Sequence, residues 1–415
     1  MNRQFRLFSL AIVLLIMLGA GMGASAQSVE LELVLNSPDP VTAAYREVVR
    51  EFEALNPNIK INVSSQGRDF ESLMRTRMAS MDLPDMWTTH GWSVERYSEY
   101  LRPLNDQPWI DSIIDSLLPT VSNDAGEIFV LPVDADQAGV VVNKTVVQNA
   151  GVDPYELHTW DDFLAAFQAI KDNGDIPVGM YGRDPRSFAR FMLFAGTSLL
   201  TASPSNDHRE ALMDGTFDWT EYDKVNQLLV DLREAGYVNV DVLTASADTV
   251  HQSMALDELA FIFTNNAAVV SVLEYNPDAN VGFVPVFASY DDAERVLIGG
   301  ERNAIGVAKD TPNTEEALLF LEFLAQPENI ILVSEAQGLP PALEGIENDL
   351  GVLTEDYQRW QSVPIEPYFD RFYLPSGMWS VLQSVGAGVM SGEYTVREGS
   401  QVMEENYLRL RDAAE

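Results

Sequence analysis

Two carboxylates two positions apart, Asp134 and Asp136, stand between short apolar runs in the stretch GEIFVLPVDADQAGVVVNK (126–144). On an extended chain, side chains two apart point the same way, so the pair can face one ligand or one scissile bond. As general acid and base on a glycosidic linkage the carboxyl groups would stand about 5–10 Å apart. As ligand contacts they would accept charge-assisted hydrogen bonds from hydroxyl donors. With 63 acidic residues in the chain, counting leaves a hydrolytic pair open. An exported carbohydrate-active hydrolase using an Asp/Glu pair is therefore the alternative to a binding function. Other chemistry has no footing: no nucleophile elbow, phosphate-cradling glycine loop or HExxH motif is present. The four histidines (His90, His158, His208, His251) share no metal-ligand spacing, and no cysteine supplies a thiolate. No metal and no cofactor is expected.

At 415 residues the chain exceeds what one compact core organises, and two domains or lobes are expected. A hydrophobic content of 46% supplies their cores. The net charge of −37 argues against nucleic acid or an anionic membrane surface as partner, and it disfavours a multiply charged anionic substrate. At the N-terminus Arg3 and Arg6 precede the apolar run Leu10 to Leu18, and Ala24-Ser25-Ala26 has the small-x-small cleavage pattern. Residues 1–26 read as a cleaved signal peptide, the run being shorter than the ~20 residues that span a bilayer. Removal takes the charge from −37 to −39. With no cysteine to carry a lipid, a free, soluble, monomeric periplasmic protein is expected.

The elements that position the candidate residues follow from periodicity. Val29 to Leu35 alternates as a strand, and 36–40 reads as a loop. Tyr45, Val48, Val49, Phe52 and Leu55 fall at helical spacing, and Ile59, Ile61 and Val63 form a second strand. This βαβ order predicts a parallel sheet whose carboxyl edge faces ligand, and Asn36, Ser37, Ser65 and Gln66 lie at that edge. A helix over 70–81, a strand over 83–87 and a polar-aromatic loop holding His90 and Trp92 follow, with a further helix to about Tyr100. The runs 128–131 and 140–142 have no helix between them, so they cannot be one parallel crossover. The linker reads as a strand passing between sheets, a hinge. Later come a helix capped by Thr159, a strand at 177–181, a helix over 188–200, a helical region over 214–236 and strands at 261–263 and 281–286. Gly299-Gly300 permit close backbone approach, Ile305 to Ala308 is a strand, and Pro327 marks the end of a helix with Ala317, Phe320, Leu321 and Leu324 on one face.

Several segments, in this order, resemble the extracellular solute-binding proteins of the maltose-binding-like family. They are the hinge stretch 126–144, TWDDF (159–163), IGGERNAIGVAKDTPNTEEALLFLEFLAQPENI (298–330) with GLPPA (338–342), and MWSVLQSVGAGVMSGEYT (378–395). ALDELAFIF (255–263) departs from the family's glycine-containing pattern. The resemblance implies an α/β, two-lobed periplasmic-binding-protein fold (type II-like), each lobe a mainly parallel sheet flanked by helices. Three crossings, near 133–138, 296–301 and 338–342, would join lobe 1 (27–135 plus 299–338) to lobe 2 (136–298 plus 339–415). It further implies a substrate-binding component of an ABC importer, not an enzyme, that closes on a sugar or oligosaccharide and docks on membrane permease subunits.

A sugar site needs aromatic faces for pyranose C–H surfaces and a few placed polar groups. By family position Asp136, with Asp134 beside it, is a ligand carboxylate. Trp379, 12 positions before Ser391, is the stacking residue, with Tyr373 and Phe372 on the same wall. His90 and Trp92 lie in the ligand-facing loop, and Gly300, Glu301 and Arg302 on the second crossing. Arg183 and Phe188 fall where relatives place contacts from the second lobe. Asn36, Ser37 and Gln66 complete the expected set.

Overall fold

The structure is a computed structural model that describes residues 28–89, 94 and 96–412. Its first strands are β1 (Val29–Leu35) and β2 (Ile59–Ser65), paired in parallel from Val29↔Ile59 to Leu35↔Ser65. The helix Asp39–Leu55 connects them and buries Val41, Tyr45, Val48 and Phe52. It starts inside the expected loop, since a proline at the first helical turn forfeits no hydrogen bond. β3 (Met86–Thr88) joins the other side of β1, again parallel. The segment 96–100 forms turns instead of the expected helix end.

Three strands then follow almost without interruption: β4 (Val130–Pro132), β5 (Ala135–Ala138) and β6 (Val140–Asn143). The remaining strands are β7 (Ile176–Val178), β8 (Leu259–Phe263), β9 (Val281–Val284), β10 (Leu297–Glu301), β11 (Ala304–Val307) and β12 (Ile365–Pro367). They make a five-stranded sheet β2-β1-β3-β11-β4, a four-stranded sheet β7-β8-β6-β9 and a three-stranded sheet β12-β10-β5. β4, β5 and β6 therefore each lie in a different sheet, the passage that a helix-free linker requires.

One strand in each large sheet opposes its neighbours: β11 runs antiparallel to β3 and β4, and β6 to β8 and β9. Both come straight out of the small sheet with no helix to turn the chain around, so they enter reversed. In the small sheet Gly300 pairs with Asp136 and Gly299 with Pro367. A third connection is stitched alongside, where Asp134 bridges Pro341 and the Ala135 amide donates to Pro340 at 2.9 Å.

The buried apolar residues separate into two cores. One runs from Leu31 to Ala135 and resumes from Ala304 to Leu343. The other runs from Ala138 to Ile298 and resumes from Leu353 to Tyr407. Two local expectations change. Of the expected helical region 214–236, only Asp223–Glu234 is one helix; the preceding helix Arg209–Asp214 is ended by Gly215 at φ +83°. Pro327 opens the helix Pro327–Gln337 rather than ending the preceding one, again as a first-turn proline. Beyond the helix Met378–Ser391 lies another, Val396–Asp412.

Candidate ligand-binding site

A cavity of about 350 Å³ is lined from both cores and from the sheet between them. Asp136 and Ala138 of β5 form one side. Asn36, just after β1, and Glu71 and Arg96 come from elements on the first core. The helix Arg186–Leu200 contributes Arg186, Arg190, Leu193 and Phe194, which at spacings of four, three and one share a face. Asn265 follows β8, Arg302 follows β10, and Tyr368, Asp370 and Arg371 follow β12. Trp379 and Ser380 open the helix Met378–Ser391, and the Trp379 ring is half-buried.

Asp136 is only 5% exposed. The Tyr368 hydroxyl donates to its Oδ2, while Oδ1 is buried with no hydrogen-bond partner among the described residues. A buried acceptor left so costs about 1–3 kcal/mol, and a donor entering the cavity would recover it. Around it the charges are interleaved. Arg96 pairs with Glu71 at 3.3 Å, and Arg190 donates to Thr264 at 2.7 Å and to the Tyr181 hydroxyl at 3.1 Å. Loss of surrounding water, then the nearby Arg371, pulls the Arg302 guanidinium below its ordinary value, against Asp136. Burial pushes the Asp370 carboxyl up, against Arg371 and Arg96.

Five arginines against three carboxylates make the lining locally cationic in a chain of net charge −37. Helix ends reinforce this. Of the eleven described helices of nine or more residues, eight carry an acid in the first turn. The three that carry none begin at Arg186, Ala267 and Met378, have no side-chain cap, and start beside cavity-lining residues. Their positive dipole ends favour oxygen acceptors, although several first-turn N–H groups are met locally, those of Arg186 and Ser187 by Asp184, of Ala268 by Asn265 and of Met378 by Pro375.

The structure thus brings Asn36, Asp136, Arg302 and Trp379 together. The other expected residues lie elsewhere. Asp134 is fully buried away from the cavity, its Oδ1 accepting the Asn303 amide at 2.8 Å and its Oδ2 the Asn303 side chain. The chain changes pairing partner between 134 and 136, so the two-residue period does not carry across. Burial raises the Asp134 carboxyl to about 7, against the Asn303 hydrogen bonds. Ser37 donates to Asn303 at 3.0 Å, and the Gln66 side chain reaches Ser64 at 3.5 Å. Phe188 is fully buried because its helical phase turns it to the core, and Arg183 is exposed before the helix begins. Tyr373 is buried among Phe369 and Phe372, with ring centroids 6.0 and 5.4 Å away. Gly300 and Glu301 line a recess of about 10 Å³ beside the cavity, about the volume one water needs. His90 and Trp92 lie outside the described residues.

Glu71, Arg186, Arg190, Asn265, Tyr368, Asp370 and Arg371 went unrecognised in the sequence. For three of the elements a signal existed, since a helix start without acids is conspicuous in so acidic a chain. No cluster of three His, Asp or Glu side chains among the described residues could hold a metal ion.

Two cores joined by a small sheet, with a polar and aromatic cavity between, define a two-lobed solute-binding fold. The profile of the family described as bacterial extracellular solute-binding protein matches residues 47–364, and the chain belongs to this family of exported proteins. It is 32% identical to the melibiose/raffinose/stachyose-binding protein MelE of Bacillus subtilis, over 100% of this chain and 98% of that protein. Among solved structures it is similar to the MsmE binding protein of Bacillus subtilis in an open conformation, with TM-score 0.90 and 31% identity over 94% of this chain and 100% of that one. It is also similar to a sugar transporter of Bacillus licheniformis in complex with stachyose, with TM-score 0.80 and 33% identity over 92% and 100%.

Proposed function

We propose that this protein is the substrate-binding component of an ATP-driven importer and that its ligand is an oligosaccharide of the kind its relatives are named for, such as raffinose or stachyose. The observation that carries the reading is the cavity's chemistry. A half-buried Trp379 ring supplies a face for a pyranose, and Asp136 Oδ1 waits for a hydroxyl donor. Arginine forks supply donors for hydroxyl oxygens. A polyhydroxylated ligand uses all three at once.

In this reading residues 27–135 with 299–338 form one lobe, extended past the expected boundary to Leu343 because Ala342 and Leu343 pack in the first core, and 136–298 with the rest of the chain to 415 form the other, closing by bending at the small sheet. The closed monomer delivers its ligand to permease subunits in the membrane. Residues 1–26 direct export, and the mature protein acts in the periplasm without catalysis.

Calorimetric titration of residues 27–415 with melibiose, raffinose and stachyose tests the proposal, with a phosphorylated hexose as contrast. Saturable saccharide binding without product, together with a smaller radius of gyration in solution scattering, is the expected result. No binding to any saccharide rejects the sugar assignment, and turnover of a glycan transfers the chain to the hydrolase reading.

A further inference from the structure

Tyr368 reaches Asp136 by an unusual route. In the small sheet the strand order is β12-β10-β5, with Gly300 of β10 paired to Asp136 of β5. Tyr368 follows directly on Pro367, the last residue of β12, which pairs with Gly299. Its hydroxyl nevertheless bonds Asp136, two strands away, a separation of roughly 9–10 Å between backbones. The ring must cross the middle strand, and there residue 300 is a glycine at φ +147°. A β-carbon at that position would stand 3.4 and 3.6 Å from Cε2 and Cδ2 of Tyr368. The Arg371 guanidinium lies over the same ring, 3.8 Å from its centroid. With Oδ2 engaged, the remaining oxygen of Asp136 is buried at the cavity without a partner among the described residues.

We infer that Tyr368 is a positioning residue for ligand recognition: by donating to Asp136 across Gly300 it holds the carboxylate so that Oδ1 is offered to a ligand hydroxyl. A β-carbon at 300 would only touch the ring; glycine there answers the backbone φ of +147°, which other residues rarely adopt. The inference rests on the oligosaccharide reading and adds to it the device that orients its central acceptor. It also places the recognising carboxylate under the control of all three strands of the connecting sheet.

The test is a double-mutant cycle on raffinose and stachyose binding, with Tyr368→Phe, Asp136→Asn and the double variant, each checked for an unchanged melting temperature without sugar. Tyr368→Phe is expected to weaken binding about tenfold in the wild-type background. In the Asp136→Asn background it should cost less than about twofold, because the two residues act as one unit. Wild-type affinity in Tyr368→Phe, or losses that add in the double variant, overturns this inference while the sugar reading stands. A wild-type protein that binds neither saccharide overturns both.

Discussion

Asn303 donates twice to Asp134, through its backbone N–H at 2.8 Å and through its side-chain amide, and so ties the first crossing to the chain that leaves the second. The same aspartate bridges Pro341 on the third. Asp134 is thus a carboxylate of the hinge and not of the ligand cavity, and its burial has a consequence for pH.

The folded chain holds the Asp134 carboxyl at about 7 through burial, against about 3.9 when unfolded. A carboxyl raised on folding binds its proton more tightly in the native state. Its contribution therefore favours folding at low pH and is lost as pH rises from about 4 to about 7. The difference amounts to about 4 kcal/mol. Asp134→Asn carries no such charge, so its stability relative to wild type should improve between pH 4 and pH 8. Denaturant unfolding at both values checks this, and a difference independent of pH would reject it.

Trp379→Ala should cost binding far more than folding. The ring is half-buried at a helix start, where truncation opens no deep core cavity. A stacking anchor of this kind carries about 2 kcal/mol or more, so raffinose affinity should fall at least roughly 30-fold. Tyr373→Phe, altered within a separate ring cluster, should bind as wild type.

Two nearby arginines give a sharp contrast. Arg190 faces the cavity, whereas Arg183 is exposed ahead of the helix. Arg190→Ala is expected to weaken oligosaccharide binding about tenfold or more, and Arg183→Ala by less than about twofold. Calorimetry on both variants decides it, and equal losses would place the binding face elsewhere.

Stability of the second core should hang on a buried ion pair remote from the cavity. Lys144 bonds Asp356 at 3.0 Å, and Asp356 also accepts from the Tyr155 hydroxyl at 3.2 Å and the Phe283 amide at 3.0 Å. Asp356 is fully buried. Lys144→Met strands that carboxylate and should cost about 3–5 kcal/mol of stability, read as a lower denaturation midpoint. The folded fraction should keep wild-type ligand affinity.

Much of the architecture is legible in one dimension because its causes are local. The alternation of Val29 to Leu35 buries one face of a strand, and Thr159 with Asp162 closes a capping box within four residues. The helix-free linker after Pro132 forces a change of sheet whatever the rest of the chain does. Proline signals were read less well, since Pro38, Pro40 and Pro327 lie at helix beginnings and a first-turn proline resembles a break.

The cavity divides along the same line. Asn36 sits at a strand end that periodicity places, whereas Asp136, Arg302 and Trp379 are reached through the resemblance to the family. Arg186 and Arg190 face the cavity in place of Phe188 because two residues of helical phase, about 200°, turn a side chain from cavity to core, and Arg183 lies ahead of the helix. Tyr368 and Asp136 are 232 residues apart, and their bond exists only because β10 lies between β12 and β5 with glycine at the crossing point. Periodicity and caps determined the strands, the helices and the passage between two sheets. Strand order and register, which depend on how distant segments pack, decided which carboxylate is tied into the crossings and which faces the cavity.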